Sequence, residues 1–123
     1  MTIDQAIKTV EETKPNDISP IIVRSWLSQL DSRIMDELYS KHKTLCDLPF
    51  GGYGADTAGN TVLLAPEAYS MIYIYWICYN IDYYYGESED AMSNKILFNN
   101  TWEELANHVC RTYPSNKSSY FVI

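Results

Sequence analysis

The sequence predicts an all-α fold, a small antiparallel bundle of about four helices with a long glycine-rich loop between the second and the third. Three observations carry that prediction. Apolar residues recur at steps of three and four over four separate stretches. Residues that start or stop helices bound each stretch. Four of the five glycines fall in one segment, 45–65, between the second and third stretches. A chain of 123 residues holds one domain with one modest core.

The first helix covers residues 2–13. Thr2-Ile3-Asp4-Gln5 has the pattern of a reciprocal capping box, and Ile3, Ile7 and Val10 form a narrow apolar stripe. Lys14-Pro15-Asn16-Asp17 ends it, because proline disfavours a helical residue before it. Ser19-Pro20 starts the second helix, an N-cap followed by proline at the first helical position. Its inward face is Val23, Trp26 or Leu27, Leu30, Ile34 and Leu38, with Arg24, Gln29, Asp31, Ser32, Asp36 and Glu37 on a wet side. It frays around residues 41–43.

The connection 45–65 exceeds the usual helix–helix link of about 2–8 residues. Within it, Thr61–Leu64 reads as a short extended segment leading into the stretch around which the chain is organised. That stretch, Pro66–Gly86, holds seven of the eleven tyrosines. Tyr69, Ile72, Tyr73, Trp76, Asn80 and Tyr83 share one helical face, and Ile74, Ile77, Cys78 and Ile81 line a second. Apolar over much of its circumference, it reads as a helix surrounded by others. A strand is too short for such a run. A membrane span is not expected, because it needs an uninterrupted apolar run of roughly 18 residues and the tyrosine hydroxyls, Asn80 and Asp82 would need partners. Pro66 suits the first turn and Gly86 the left-handed residue past the last. The acidic link Glu87-Ser88-Glu89-Asp90 suits the start of the final helix. Its seam is Ala91, Lys95, Phe98, Trp102, Leu105 and Val109, with Lys95 snorkelling, and Pro114 stops it. The tail, 115–123, is polar and then abruptly apolar.

Few kinds of chemistry fit these residues. A net charge of −7 with scattered cations opposes binding to a phosphate backbone, and solubility is its simplest meaning. Cys46, Cys78 and Cys110 have no CxxC spacing and no secretory leader pattern precedes them, which predicts free thiols in a reducing compartment. His42 and Cys46, four apart, offer at most two metal ligands on one helix face, and His108 and Cys110 point to different sides, so no four-ligand metal site is expected. Cys46 with His42 is also the best local nucleophile–base pair, but no sharp nucleophile turn holds it. Gly52-Tyr53-Gly54 lacks the third glycine of a phosphate loop and follows a helix, not a strand. Asp36-Glu37 and Glu103-Glu104 read as surface charge. The residues therefore predict an interaction module without cofactor, metal or catalytic centre.

Tyrosine concentrates where one end of a side chain is apolar and the other wet, as at interfaces. The candidate contact residues are Phe50 and Tyr53 in the loop, Tyr75, Tyr79, Tyr84 and Tyr85 on the central helix, and Tyr120, Phe121, Val122 and Ile123 in the tail.

The order of short motifs resembles the small head–tail connector (adaptor) proteins of tailed bacteriophages and prophages. Those motifs are Ala6-Ile7, Lys14-Pro15-Asn16, Trp26-Leu27-Ser28-Gln29-Leu30-Asp31, Leu63-Leu64-Ala65-Pro66, Tyr69 and Tyr73, Ile81-Asp82-Tyr83-Tyr84, Gly86-Glu87, Leu97-Phe98-Asn99 and Arg111-Thr112-Tyr113. Each is weak singly; their order and spacing span nearly the whole chain. Gly51-Gly52-Tyr53-Gly54 and Glu67-Ala68 depart from that pattern, and the tail has no counterpart. The resemblance implies a structural virion protein at the neck, assembled in the bacterial host cytoplasm. It would be a cyclic homo-oligomer, twelve-fold, that docks on the portal and receives tail-completion proteins while DNA passes through its centre without sequence recognition. An acidic lumen would let DNA slide. The competing expectation is a small helical regulator that binds one protein partner. An enzyme built on Cys46 and His42 ranks last.

Overall fold

The computed structural model describes residues 1–116. The candidates Tyr120, Phe121, Val122 and Ile123 lie outside them. The described chain is all-helical: α1 (Ile3–Thr13), α2 (Pro20–Arg33), α3 (Met71–Tyr84) and α4 (Ser88–Thr112). The capping box forms as the sequence predicts. The Thr2 hydroxyl accepts from the Gln5 amide at 3.1 Å, and the Gln5 side chain accepts from the Thr2 amide at 2.9 Å. Ser19 caps α2 with Pro20 in its first turn. Past Arg33 the helix widens into a π turn, Ile34–Leu38, then tightens into a 3-10 turn, Tyr39–Lys41, before the backbone becomes extended at His42.

Helix α3 sits at the centre, touching α1 and α2 and pairing along its length with α4. Ile72, Tyr73, Ile77 and Ile81 of α3, Leu27 and Leu30 of α2, Ile3 and Ala6 of α1, and Leu105 and Val109 of α4 are buried together. The α3–α4 turn is a Schellman motif. The Glu87 amide donates to the Asp82 carbonyl at 2.8 Å and the Gly86 amide to the Tyr83 carbonyl at 3.2 Å. Gly86, at φ +75°, supplies the left-handed residue this closure requires.

Three expectations change. Pro66 does not open the central helix: a 3-10 turn, Glu67–Tyr69, precedes α3, which starts at Met71. The Tyr73 hydroxyl accepts from the Ala65 amide at 2.7 Å, which draws the chain back across the helix start and leaves room for a tight turn only. The segment expected to be extended, Thr61–Leu64, is unaffected: it pairs through one antiparallel bridge, Thr2 with Val62, and no strand forms among the described residues. Asp31, expected on the wet side of α2, is fully buried. Arg24, also expected there, is half-buried and donates to the Gly54 and Thr57 carbonyls at 3.1 and 2.6 Å.

Candidate protein-interaction surface

The interior decides which side chains remain for a partner. Asp31 is the hub of the loop. Its carboxylate accepts from the Tyr53 hydroxyl at 2.5 Å, the Tyr73 hydroxyl at 2.6 Å and the Leu64 amide at 3.0 Å. These donors come from the middle of the loop, from α3 and from the loop's end, so one carboxylate fastens both parts of 45–65 to α2 and α3. Tyr39 adds a bond from its hydroxyl to the Leu64 carbonyl at 2.8 Å. Burial pushes the Asp31 carboxyl above the usual carboxylate range, against the opposing pull of the three donors. It also pushes the Tyr53 and Tyr73 hydroxyls up, reinforced by the neighbouring Asp31 charge. Tyr53 is therefore an internal anchor, its hydroxyl engaged within the chain. Phe50 packs edge-on against it, centroids 5.2 Å apart.

A second buried carboxylate ties α1 to the hairpin. Asp82, fully buried, receives the Lys14 ammonium at 2.6 Å and the Asn94 amide at 2.8 Å. The bond to Asp82 raises Lys14 above its ordinary value despite the opposing cost of burial. Asp82, Glu87 and Asp90 bring ligand oxygens within 4.8 Å of one another. Lys14 and Asn94 already satisfy the one buried member of that group, and the other two are solvated.

The histidines and cysteines pair differently from the sequence expectation. His42 lies past the helical turns, in extended backbone, so it shares no helix face with Cys46. Its Nδ1 donates to the Tyr113 carbonyl at 3.1 Å and its Nε2 stands 4.0 Å from the Cys110 sulfur. Cys46 instead faces its neighbour Asp47. An imidazole with Nδ1 held by a carbonyl leaves Nε2 as an acceptor for a thiol proton. Nothing in the sequence spacing of positions 42 and 110 pointed to this pair. Cys78 is buried, and that burial pushes its thiol up. His108 packs on Tyr69, centroids 5.0 Å apart, and so diverges from Cys110 as expected.

What remains is surface. Tyr73 is in the core, Tyr75 and Tyr79 are half-buried, and Tyr83, Tyr84 and Tyr85 are 74%, 70% and 47% exposed. On α4, Met92 and Ile96 are 57% and 54% exposed. The α3 row Trp76–Tyr79–Tyr83 stacks at centroid separations of 6.2 Å and runs beside Lys95 and Phe98 of α4. Between them lies a groove of about 310 Å³ lined by Arg33, Trp76, Tyr79, Lys95, Phe98 and Asn99. This aromatic groove and the tyrosine turn beside it are the strongest candidates for contact with a protein. The sequence drew attention to the tyrosines. It did not mark Arg33, Met92 and Ile96, and it read Lys95 only as a snorkelling member of the last helix's seam; no sequence signal says which helix faces stay uncovered.

No family model, curated protein or solved structure matches the chain. Among the described residues, no helix is long and apolar enough to cross a membrane.

Proposed function

We propose that this chain is a structural connector of the head–tail junction of a tailed bacteriophage or prophage. Copies form a ring that joins the portal to tail-completion proteins and leaves a central passage for DNA. The observation that carries the reading is aromatic and apolar surface left over after a complete core. Tyr83, Tyr84 and Tyr85 at the α3–α4 turn and Met92 and Ile96 on α4 are all exposed, well beyond what the fold consumes. A ring subunit needs two such surfaces, one for each neighbour. The resemblance adds support, because residues that carry it coincide with those that hold the fold: Lys14 and Asp82, Asp31 and Tyr73, Leu64 and Ala65. A net charge of −7 suits a passage through which DNA moves without sticking.

Negative-stain imaging of the protein mixed with the portal protein of its phage or prophage tests this. Rings seated on the portal are the expected result. Compact dimers alone, at high concentration and with that portal present, would overturn the reading in favour of a regulator that binds one partner. A second arm concerns the tail. Ser115 bridges to His42, and the Asn116 amide and side chain donate to the Lys41 and Ser40 carbonyls, each at 3.0 Å. A deletion starting at 115 would therefore cut into the fold, and the informative truncation removes 117–123. It should keep the helical circular dichroism and weaken portal or ring binding.

A further inference from the structure

We infer that the α3–α4 hairpin carries both halves of a head-to-tail contact between copies of this chain: the acidic tyrosine turn of one copy seats against the cation-flanked aromatic groove of the next. The inference rests on the ring reading above and supplies the surfaces for it.

The groove asks for an acidic, aromatic occupant. Its walls are Trp76, Tyr79 and Phe98, and Arg33 and Lys95 flank them. Arg33 is already paired with Glu37 at 3.0 Å and lies over the Trp102 ring at 5.0 Å, whereas Lys95 makes no ion pair among the described residues. On the same helix Met92 lies three residues before Lys95 and Ile96 follows it, both with exposed apolar area. In a chain with nine Lys and Arg against sixteen Asp and Glu, the unpaired Lys95 gives this aromatic wall a positive edge. A tyrosine ring entering there meets both apolar walls and, in Lys95, a cation able to lie over its face.

The same chain offers that occupant. Tyr84 and Tyr85 project from the end of α3 and are followed within five residues by Glu87, Glu89 and Asp90, all exposed. No Lys, Arg or His occurs between Lys43 and Lys95, and Lys14, which lies near this turn, is bonded to the buried Asp82, leaving Glu87, Glu89 and Asp90 without an ion pair among the described residues. The two surfaces face different ways. Tyr83 stacks back on Tyr79 toward the groove, whereas the Tyr85 hydroxyl accepts from the Asp17 amide at 3.3 Å, on the side of the α1–α2 link. One copy thus presents turn and groove to two different neighbours. Such a heterologous contact propagates from copy to copy and closes into a ring where the rotation allows.

A charge swap tests it. Lys95→Glu makes groove and turn both negative; Glu87→Lys with Glu89→Lys makes both positive. By sedimentation over a concentration series at low salt, each variant alone should self-associate about tenfold more weakly than wild type, the loss expected of a reversed interfacial charge. An equimolar mixture should recover wild-type association, because every groove then meets a turn of opposite sign. All these positions are exposed, so helical circular dichroism should be unchanged; if it is not, Lys95→Gln and Glu89→Gln replace the reversals with a smaller loss expected. Association of either variant equal to wild type, or a mixture no better than its components, would overturn the inference. So would a wild-type chain that stays monomeric while Lys95→Glu abolishes its binding to the portal, which would give the groove to a different acidic partner. The connector reading fails separately. Portal-bound rings that ignore the swap refute this contact alone, and a working swap without any portal-bound ring refutes the connector alone.

Discussion

At the scale of single residues, Asp31 has the largest consequences. Three donors converge on it, and burial raises its carboxyl above the ordinary range. An unfolded aspartate titrates near about 3.9. Below that value the carboxyl is neutral in both states and burying it carries no charge penalty. As the pH rises past it the unfolded chain ionises first, so the contribution of Asp31 to stability falls through the window up to its raised folded value and is flat above. Asp31→Asn should flatten that slope. At neutral pH it should still destabilise by about 2 kcal/mol, because one of the two oxygens that accept the three donors becomes an NH2 and leaves a donor without its acceptor. Urea unfolding of both proteins from pH 4 upward checks both statements; parallel pH curves would show that Asp31 does not titrate as described. The sequence could not disclose this residue. A carboxylate beside Ser32 on an amphipathic helix reads as solvated. What buries it is a pair of tyrosines 22 and 42 positions away, and no local pattern encodes pairings at that range.

At the scale of elements, the helices were legible because their signals are local. The capping box at Thr2, Ser19-Pro20 and Gly86 all do what their chemistry dictates. Gly86→Ala should cost about 1–2 kcal/mol, the strain of a side chain at φ +75°. Thermal unfolding measures it, and an unchanged midpoint would mean that the turn relaxes without its left-handed residue. The loop was legible only as a loop. Its glycine content announces irregular backbone. Its anchors, Arg24 under Gly54 and Thr57, Ser28 under Tyr53, and the main-chain bonds to α1, depend on elements distant in sequence. The start of α3 was misplaced for a related reason, since Pro66 is a helix-start signal until Tyr73 reaches back to Ala65. As for the surface, helical periodicity sorts residues into faces, but it cannot say which face a neighbouring helix covers. Tyr73 and Tyr83 stood on one predicted face; one is in the core and the other is among the most exposed side chains.

At the scale of the whole molecule, the proposed role turns on copies meeting copies. The imaging and charge-swap experiments divide the question, one asking whether a ring forms on a portal and the other which patches close it. A further consequence follows from the buried carboxylate on α2. Because the glycine-rich segment is latched at Tyr53 and Leu64 to a group inside the core, it swings out only when those bonds break. A protease offered Gly51-Gly52-Tyr53-Gly54 should therefore cut only as often as the latch opens, and the nicking rate becomes a gauge of that opening. In the Asp31→Asn chain the same site should be cut quickly even where the helices remain intact.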